Sequence, residues 1–282
     1  NGAYAALFTP YDAKGRVNPE MIGKIVDYGI RNGLNGFYLT GTTGEWWLLS
    51  LDERKQVMDA AVKAAKGRCK LIAHVGANCT DDSVALAKHA AKIGIDWISS
   101  ITPQLYRNSF DAACYHYKTI TAATDLPFMV YSMGSALVPE RDIRFFDIPH
   151  VKGIKYTGRD YFELGTLHRK LNKPAIFFAG ADEQVLNGLA TGHFSGCIGT
   201  TDNQLPAHFV KICELAAQGK FIEARPYQEE VCRLVELVCA DDNESYHKSI
   251  MRYIGLDCGN ARRPNGQPLA EAEYAAYEKR IA

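Results

Sequence analysis

Short runs of apolar, β-branched and aromatic residues recur along the chain, separated by longer stretches in which apolar positions return every three or four residues. The short runs match buried strands and the stretches between them carry a helical period, so the alternation predicts repeated βα units around a parallel sheet. Eight strands are expected, near 3–8, 36–40, 70–75, 97–101, 127–131, 151–157, 174–179 and 196–199. Ser50 and Glu53 have capping-box spacing ahead of an Ala-rich amphipathic stretch. Thr80-Asp81-Asp82 is expected to open the next helix with a polar cap and an acidic first turn, and Gly67 and Gly94 to close two helices. Eight units exhaust the chain near residue 218, leaving further helices near 220–239, 244–254 and 270–281, the first carrying Pro226 as a candidate kink. No linker or close repeat interrupts the pattern. The expectation is a single domain over 1–282: a (β/α)8 TIM barrel over 1–218 with a C-terminal helical extension over 219–282.

A chain of 282 residues suits one such barrel. Its 32 basic and 32 acidic residues give a formal charge of zero, without the footprint that nucleic acid or an anionic membrane would select. The longest apolar runs, such as residues 175–179, fall far short of the roughly 20 residues of a membrane span, and no charged-then-apolar leader opens the chain. A soluble cytoplasmic protein acting on a small, neutral or anionic molecule is therefore expected. The eight cysteines contain no C-x-x-C pair and read as small core residues in a reducing compartment rather than zinc ligands or disulfides. With no GxGxxG, no P-loop and no His/Cys metal spacing, neither a cofactor nor a metal is expected.

In barrels of this kind the chemistry sits at the C-terminal ends of the strands. Gly41-Thr42-Thr43-Gly44-Glu45 follows the second strand and places two hydroxyls and several amides at a tight turn, a cradle for a carboxylate or an ordinary capped turn. In the sixth strand, alternation puts Gly153, Lys155 and Thr157 on one face and Ile154 and Tyr156 on the other. If the apolar pair faces the helices, Lys155 enters the barrel mouth, where desolvation favours the neutral, nucleophilic amine. Spacing alone equally allows it to snorkel from the rim, as Lys152 is expected to do. Tyr131, ending the fifth strand, either exchanges a proton with a neighbouring substrate or simply packs. Gly180-Ala181-Asp182-Glu183 after strand seven reads as helix-start acids or as acceptors for a polyol, and Gly199-Thr200-Thr201-Asp202-Asn203 opens the eighth unit with the same ambiguity.

Taken together, these residues resemble the dihydrodipicolinate synthase and N-acetylneuraminate lyase superfamily over essentially the whole chain: the Gly-Thr-Thr-Gly-Glu motif, Tyr131 and the Gly-x-Lys strand occur in the family's order and spacing. The lyase branch fits best, through Lys155-x-Thr157, the stretch Lys70–Gly76 and the segment Gly180–Gln184. Synthases of the family usually carry an arginine five residues after the strand-five tyrosine, where this chain has Ala136. The usual Tyr-Asn-x-Pro is replaced by Tyr131-Ser132-Met133-Gly134, a departure that bears on loop geometry and specificity. The resemblance implies aldol cleavage of N-acetylneuraminate to N-acetylmannosamine and pyruvate without a cofactor. Lys155 would form the Schiff base and Tyr131 would relay the proton, while Thr42 and Thr43 held the substrate carboxylate. It further implies that Thr157, Gly180, Asp182, Glu183 and Thr200 meet the sugar, and that Tyr106 of a neighbouring subunit completes a Thr43–Tyr131 hydroxyl chain within a homotetramer, a dimer of dimers. An aldolase for another 2-keto-3-deoxy sugar acid, a condensing synthase and a noncatalytic pyruvate or sugar-acid sensor are the alternatives, because fold alone does not settle function.

Overall fold

The computed structural model describes residues 1–103, 109–134, 136–239 and 244–281. Eight parallel strands, β1 (Gly2–Ala6), β2 (Gly36–Leu39), β3 (Lys70–His74), β4 (Trp97–Ile101), β5 (Phe128–Met133), β6 (Val151–Thr157), β7 (Ile176–Ala179) and β8 (Gly196–Gly199), pair in chain order, and β8 closes on β1. Between them lie α1 (Pro19–Arg31), α2 (Leu51–Ala65), α3 (Thr80–Lys92), α4 (Phe110–Thr121), α5 (Pro139–Asp142), α6 (Tyr161–Lys170) and α7 (Val185–Ala190), and α8 (Pro206–Ala217) follows β8. The extension supplies α9 (Phe221–Val238), α10 (Ser245–Tyr253) and α11 (Glu271–Ile281). The chain folds as the TIM barrel that its pattern predicts.

Alternation along each strand divides the core in two. Outward residues such as Phe37, Phe128, Ile154 and Phe177 are buried under the helices, each contributing about 1.5–3 kcal/mol relative to exposure. Inward residues Tyr4, Tyr38, Ile72, Met129, Phe178 and Ile198 fill the barrel, and Trp46, Ile101 and Tyr131 form a separate buried cluster with Met133 packed against it.

Several boundaries differ from expectation. β1 ends at Ala6, and β2 ends at Leu39 because Thr40 turns to φ 49° and its hydroxyl donates to the His74 carbonyl at 2.9 Å. β5 runs past Tyr131, since Ser132 and Met133 keep register with Tyr156 and Thr157. The Ser50–Glu53 capping box is present, with bonds of 2.9 and 3.2 Å. Thr80 is not a cap: Cys79 holds that position without a side-chain bond, and the Thr80 hydroxyl is engaged by His116 Nδ1 of α4 at 2.9 Å. α9 continues through Pro226. Only Cys197 and Cys258 are buried thiols, whereas Cys79 and Cys239 are exposed, so the expectation of core cysteines holds in part. Among the described residues no helix is long and apolar enough to cross a membrane.

The extension is tied to the barrel mouth. Gln228 of α9 donates to the Asp182 carbonyl at 3.0 Å and accepts from the Leu186 amide at 2.8 Å, bracing the loop after β7. Lys248 of α10 reaches Glu45 at 2.7 Å with both side chains fully buried.

Candidate active site

Parallel register makes Tyr131 of β5 and Lys155 of β6 direct neighbours, with Phe178 of β7 beside Lys155. Their side chains therefore share the inner face. Lys155 is 4 % exposed, which excludes the rim position that spacing left open. Its Nζ lies 4.2 Å from the centre of the Tyr131 ring and 4.7 Å from that of Tyr38. Among the described residues it forms no ion pair, so the amine faces aromatic surfaces rather than a carboxylate. Tyr38 donates to Ser99 Oγ at 2.9 Å, and burial holds its phenol well above the usual range, so it stays protonated.

The carboxylate-loop candidates sit across from this lysine. The Thr42 hydroxyl is 3.3 Å from the Tyr131 hydroxyl, and the Thr43 hydroxyl is 2.6 Å from that of Thr200. The expected Thr43–Tyr131 contact is thus replaced: Thr42 pairs with the tyrosine, and Thr43 is drawn to the turn after β8. Tyr131 Oη also lies 3.0 Å from Met133 Sδ, in the segment that departs from the family pattern. Tyr106 lies outside the described residues.

On the opposite rim, the backbone of Gly180 approaches so closely that a Cβ there would stand 2.1 Å from Thr157 Oγ1 and 3.2 Å from Lys155 Cε. Only glycine fits. The Thr157 hydroxyl is buried and has no hydrogen-bond partner among the described residues, an arrangement that a ligand hydroxyl would complete. Asp182 is buried and uses Oδ2 to accept from the Thr201 amide at 2.8 Å and the Thr201 hydroxyl at 2.7 Å, while Glu183 is held at the edge by Arg159 at 3.1 Å. The sequence candidates Lys155, Tyr131, Thr42, Thr43, Thr157, Gly180, Asp182, Glu183 and Thr200 are gathered at the one mouth, at the C-terminal ends of the strands.

Several contributors were not legible beforehand. Glu45 stands in the left-handed region at φ 57°, held by Lys248 through one oxygen and by the Arg262 amide, at 2.7 Å, through the other. Lys248 also donates to the Thr9 carbonyl at 2.9 Å and covers the Tyr11 ring at 4.2 Å, and the Thr9 hydroxyl donates to Gly44 O at 2.7 Å. The threonine loop is therefore fixed from behind by residues some two hundred positions away, which no local signal announces. His74 and Arg54 form a second support: Arg54 donates to the carbonyls of His74 and Gly76, and the His74 ring contacts the Thr40 carbonyl at 3.0 Å and the Ile101 amide at 3.2 Å. Burial, reinforced by Arg54, pushes the His74 imidazole far below its ordinary range, so it is neutral.

The model of the dihydrodipicolinate synthetase family matches residues 1–282. The chain belongs to that family. It is 35% identical to the N-acetylneuraminate lyase of Rhizobium meliloti over 285 residues, covering 100% of this chain and 94% of the relative. The wild-type sialic acid aldolase of Ruminococcus gnavus superimposes with a TM-score of 0.92 at 28% identity, covering 99% of this chain and 96% of that one. CdNal of Clostridium difficile, solved in complex with mannosamine, gives a TM-score of 0.93 at 27% identity over 100% and 99% of the two chains. These relatives make the chain an enzyme of lyase type, and at the mouth the aromatic-lined lysine is the group chemically suited to covalent chemistry.

Proposed function

We propose that this chain is a Schiff-base aldolase that reversibly cleaves N-acetylneuraminate to N-acetylmannosamine and pyruvate. The observation that carries the reading is Lys155: an amine buried at the barrel mouth, stacked on Tyr131 and Tyr38 and free of any ion pair among the described residues. It attacks the C2 ketone of the open-chain sugar, water leaves, and the resulting iminium draws electrons as the C3–C4 bond breaks. Tyr131, having given its own proton to the departing water, takes the proton of the C4 hydroxyl, with Thr42 at 3.3 Å as its hydroxyl neighbour. The C4 carbon departs as the aldehyde. The enamine left on Lys155 is protonated at C3 and hydrolysed to pyruvate, restoring the amine. Thr42 and Thr43 hold the substrate carboxylate so that attack is effectively intramolecular. Thr157, Gly180, Asp182, Glu183 and Thr200 line the part of the mouth assigned to the sugar, and the unpartnered Thr157 hydroxyl is its most direct hydrogen-bonding site. Tyr106 is assigned to a neighbouring subunit's site in a cytoplasmic homotetramer, a dimer of dimers.

Met133 beside Tyr131 favours one second reading, an aldolase for a different 2-keto-3-deoxy sugar acid, because the pyruvate half of the site would be identical. Intact mass after incubation with pyruvate and borohydride tests the common core: wild type should gain a covalent adduct and Lys155→Ala none. Absence of an adduct in wild type would eliminate both readings. Offering N-acetylmannosamine or plain sugars as the aldehyde then separates them.

A further inference from the structure

Beneath the sugar rim lies a second acid that the proposed chemistry does not use. Asp202, on the Thr201–Asn203 turn after β8, is wholly buried. Its Oδ1 accepts a weak bond from the Cys197 thiol at 3.5 Å, and among the described residues its Oδ2 has no partner. Asp182 is the mirror case: Oδ2 accepts two good bonds from Thr201, and Oδ1 has no partner among the described residues. The two orphaned oxygens face the same spot, because a Cβ on Gly199 would stand 1.7 Å from Asp182 Oδ1 and 2.6 Å from Asp202 Oδ2. Glycine at 199 is what allows the carboxyl groups to converge. Two buried acceptors that close on one point are costly as a pair of anions, but a single proton between them satisfies both.

We propose that Asp182 and Asp202 share one proton: Asp202 is the neutral acid and donates to Oδ1 of Asp182, which stays ionised. The assignment follows the hydrogen bonds. Asp182 already receives an amide and a hydroxyl, both short, which favour its anion, whereas Asp202 receives a long thiol bond and a minor contribution from its own backbone amide. The surrounding groups agree. Burial raises the acid of Asp182 too, and Glu183 adds to the rise, but the two Thr201 bonds and Lys155 of β6 oppose it and favour the ionised form. The groups bearing on Asp202 are Asp182, Cys197 of β8 and Cys213 of α8, with no cation among them, and burial with the Asp182 charge pushes its acid far above the ordinary carboxylate range. Asp202 is thereby a positioning residue. Through Asp182 it holds Thr201, and the adjoining Thr200 carries the hydroxyl that meets Thr43 of the carboxylate loop.

The test does not depend on which aldehyde the enzyme uses. The native chain keeps a proton on Asp202 that the unfolded chain has released above about pH 4. Stability contributed by that proton is complete at low pH and declines as pH rises until Asp202 itself ionises. Relative to Asp202→Asn, whose amide donates at every pH, the wild-type unfolding constant should rise about tenfold per pH unit from about pH 5 upward. Infrared spectra of the wild-type protein at neutral pH should contain the carbonyl band of a protonated, buried carboxylic acid that Asp202→Asn lacks. Recorded in a Glu244→Gln background, which removes the other buried acid that is protonated near neutral pH, the spectrum reads the Asp202 proton even if Asp202→Asn folds poorly. Parallel stability profiles, or no acid carbonyl band in the wild type at neutral pH, would overturn the shared proton while leaving the Schiff-base reading untouched.

Discussion

Replacing Lys248 by methionine isolates what the C-terminal extension does for the threonine loop. Methionine preserves most of the stem and removes the charge, leaving Glu45 fully buried with only the Arg262 amide to satisfy it. At 2.7 Å and an effective dielectric near 20, the pair attracts by about 6 kcal/mol before desolvation is counted. Breaking such a buried pair from one side costs about 3–5 kcal/mol, a large part of a typical total of about 5–15 kcal/mol. The contact of the ammonium with the Tyr11 ring is lost as well. Lys248→Met should therefore lower stability by about 4 kcal/mol in guanidinium titrations followed by fluorescence and circular dichroism together. Glu45→Gln added to it should restore at least about 2 kcal/mol, since the amide oxygen still accepts from Arg262 and no buried charge remains. The rate of pyruvate trapping on Lys155 should fall in the single variant, because Glu45 ends the loop that carries Thr42 and Thr43. A loss below about 1 kcal/mol for Lys248→Met, or a double variant whose loss is the simple sum of the two singles, would refute the reasoning.

Gly180→Ala should fold but lose about 100-fold in kcat/KM, because its Cβ displaces Thr157 Oγ1 and crowds Lys155; steady-state kinetics should show partial recovery when Thr157→Ala makes room, and no recovery would mean the crowding falls elsewhere. Glu244, raised from about 4.5 to about 7 chiefly by burial and then by the Glu45 charge, keeps its proton in the native chain after the unfolded chain has lost it. Its contribution to stability is therefore full below about pH 4.5 and lost as pH rises to about 7, so Glu244→Gln should flatten the decline across that window, and identical profiles would contradict it.

The sequence by itself determined the architecture, the order of the eight units and the placing of polar residues at strand ends, because strand and helix periods are local properties and a strand of alternating character has only one way to face a core. For the same reason Gly153, Lys155 and Thr157 could be assigned to one face from spacing alone, while which face was inner depended on barrel closure. Tertiary structure decided the rest. Only the register of β5 against β6 sets Tyr131 beside Lys155, and only the approach of separate loops pairs Thr42 with Tyr131 and Thr43 with Thr200. Met133 and Thr80 took roles that their neighbours imposed, against the local pattern. The buried ionisable groups Glu45, Lys248 and Asp202 are tertiary in the fullest sense: an isolated carboxylate or ammonium in a sequence reads as surface, and burial becomes tolerable only when a distant partner, or a retained proton, meets it inside.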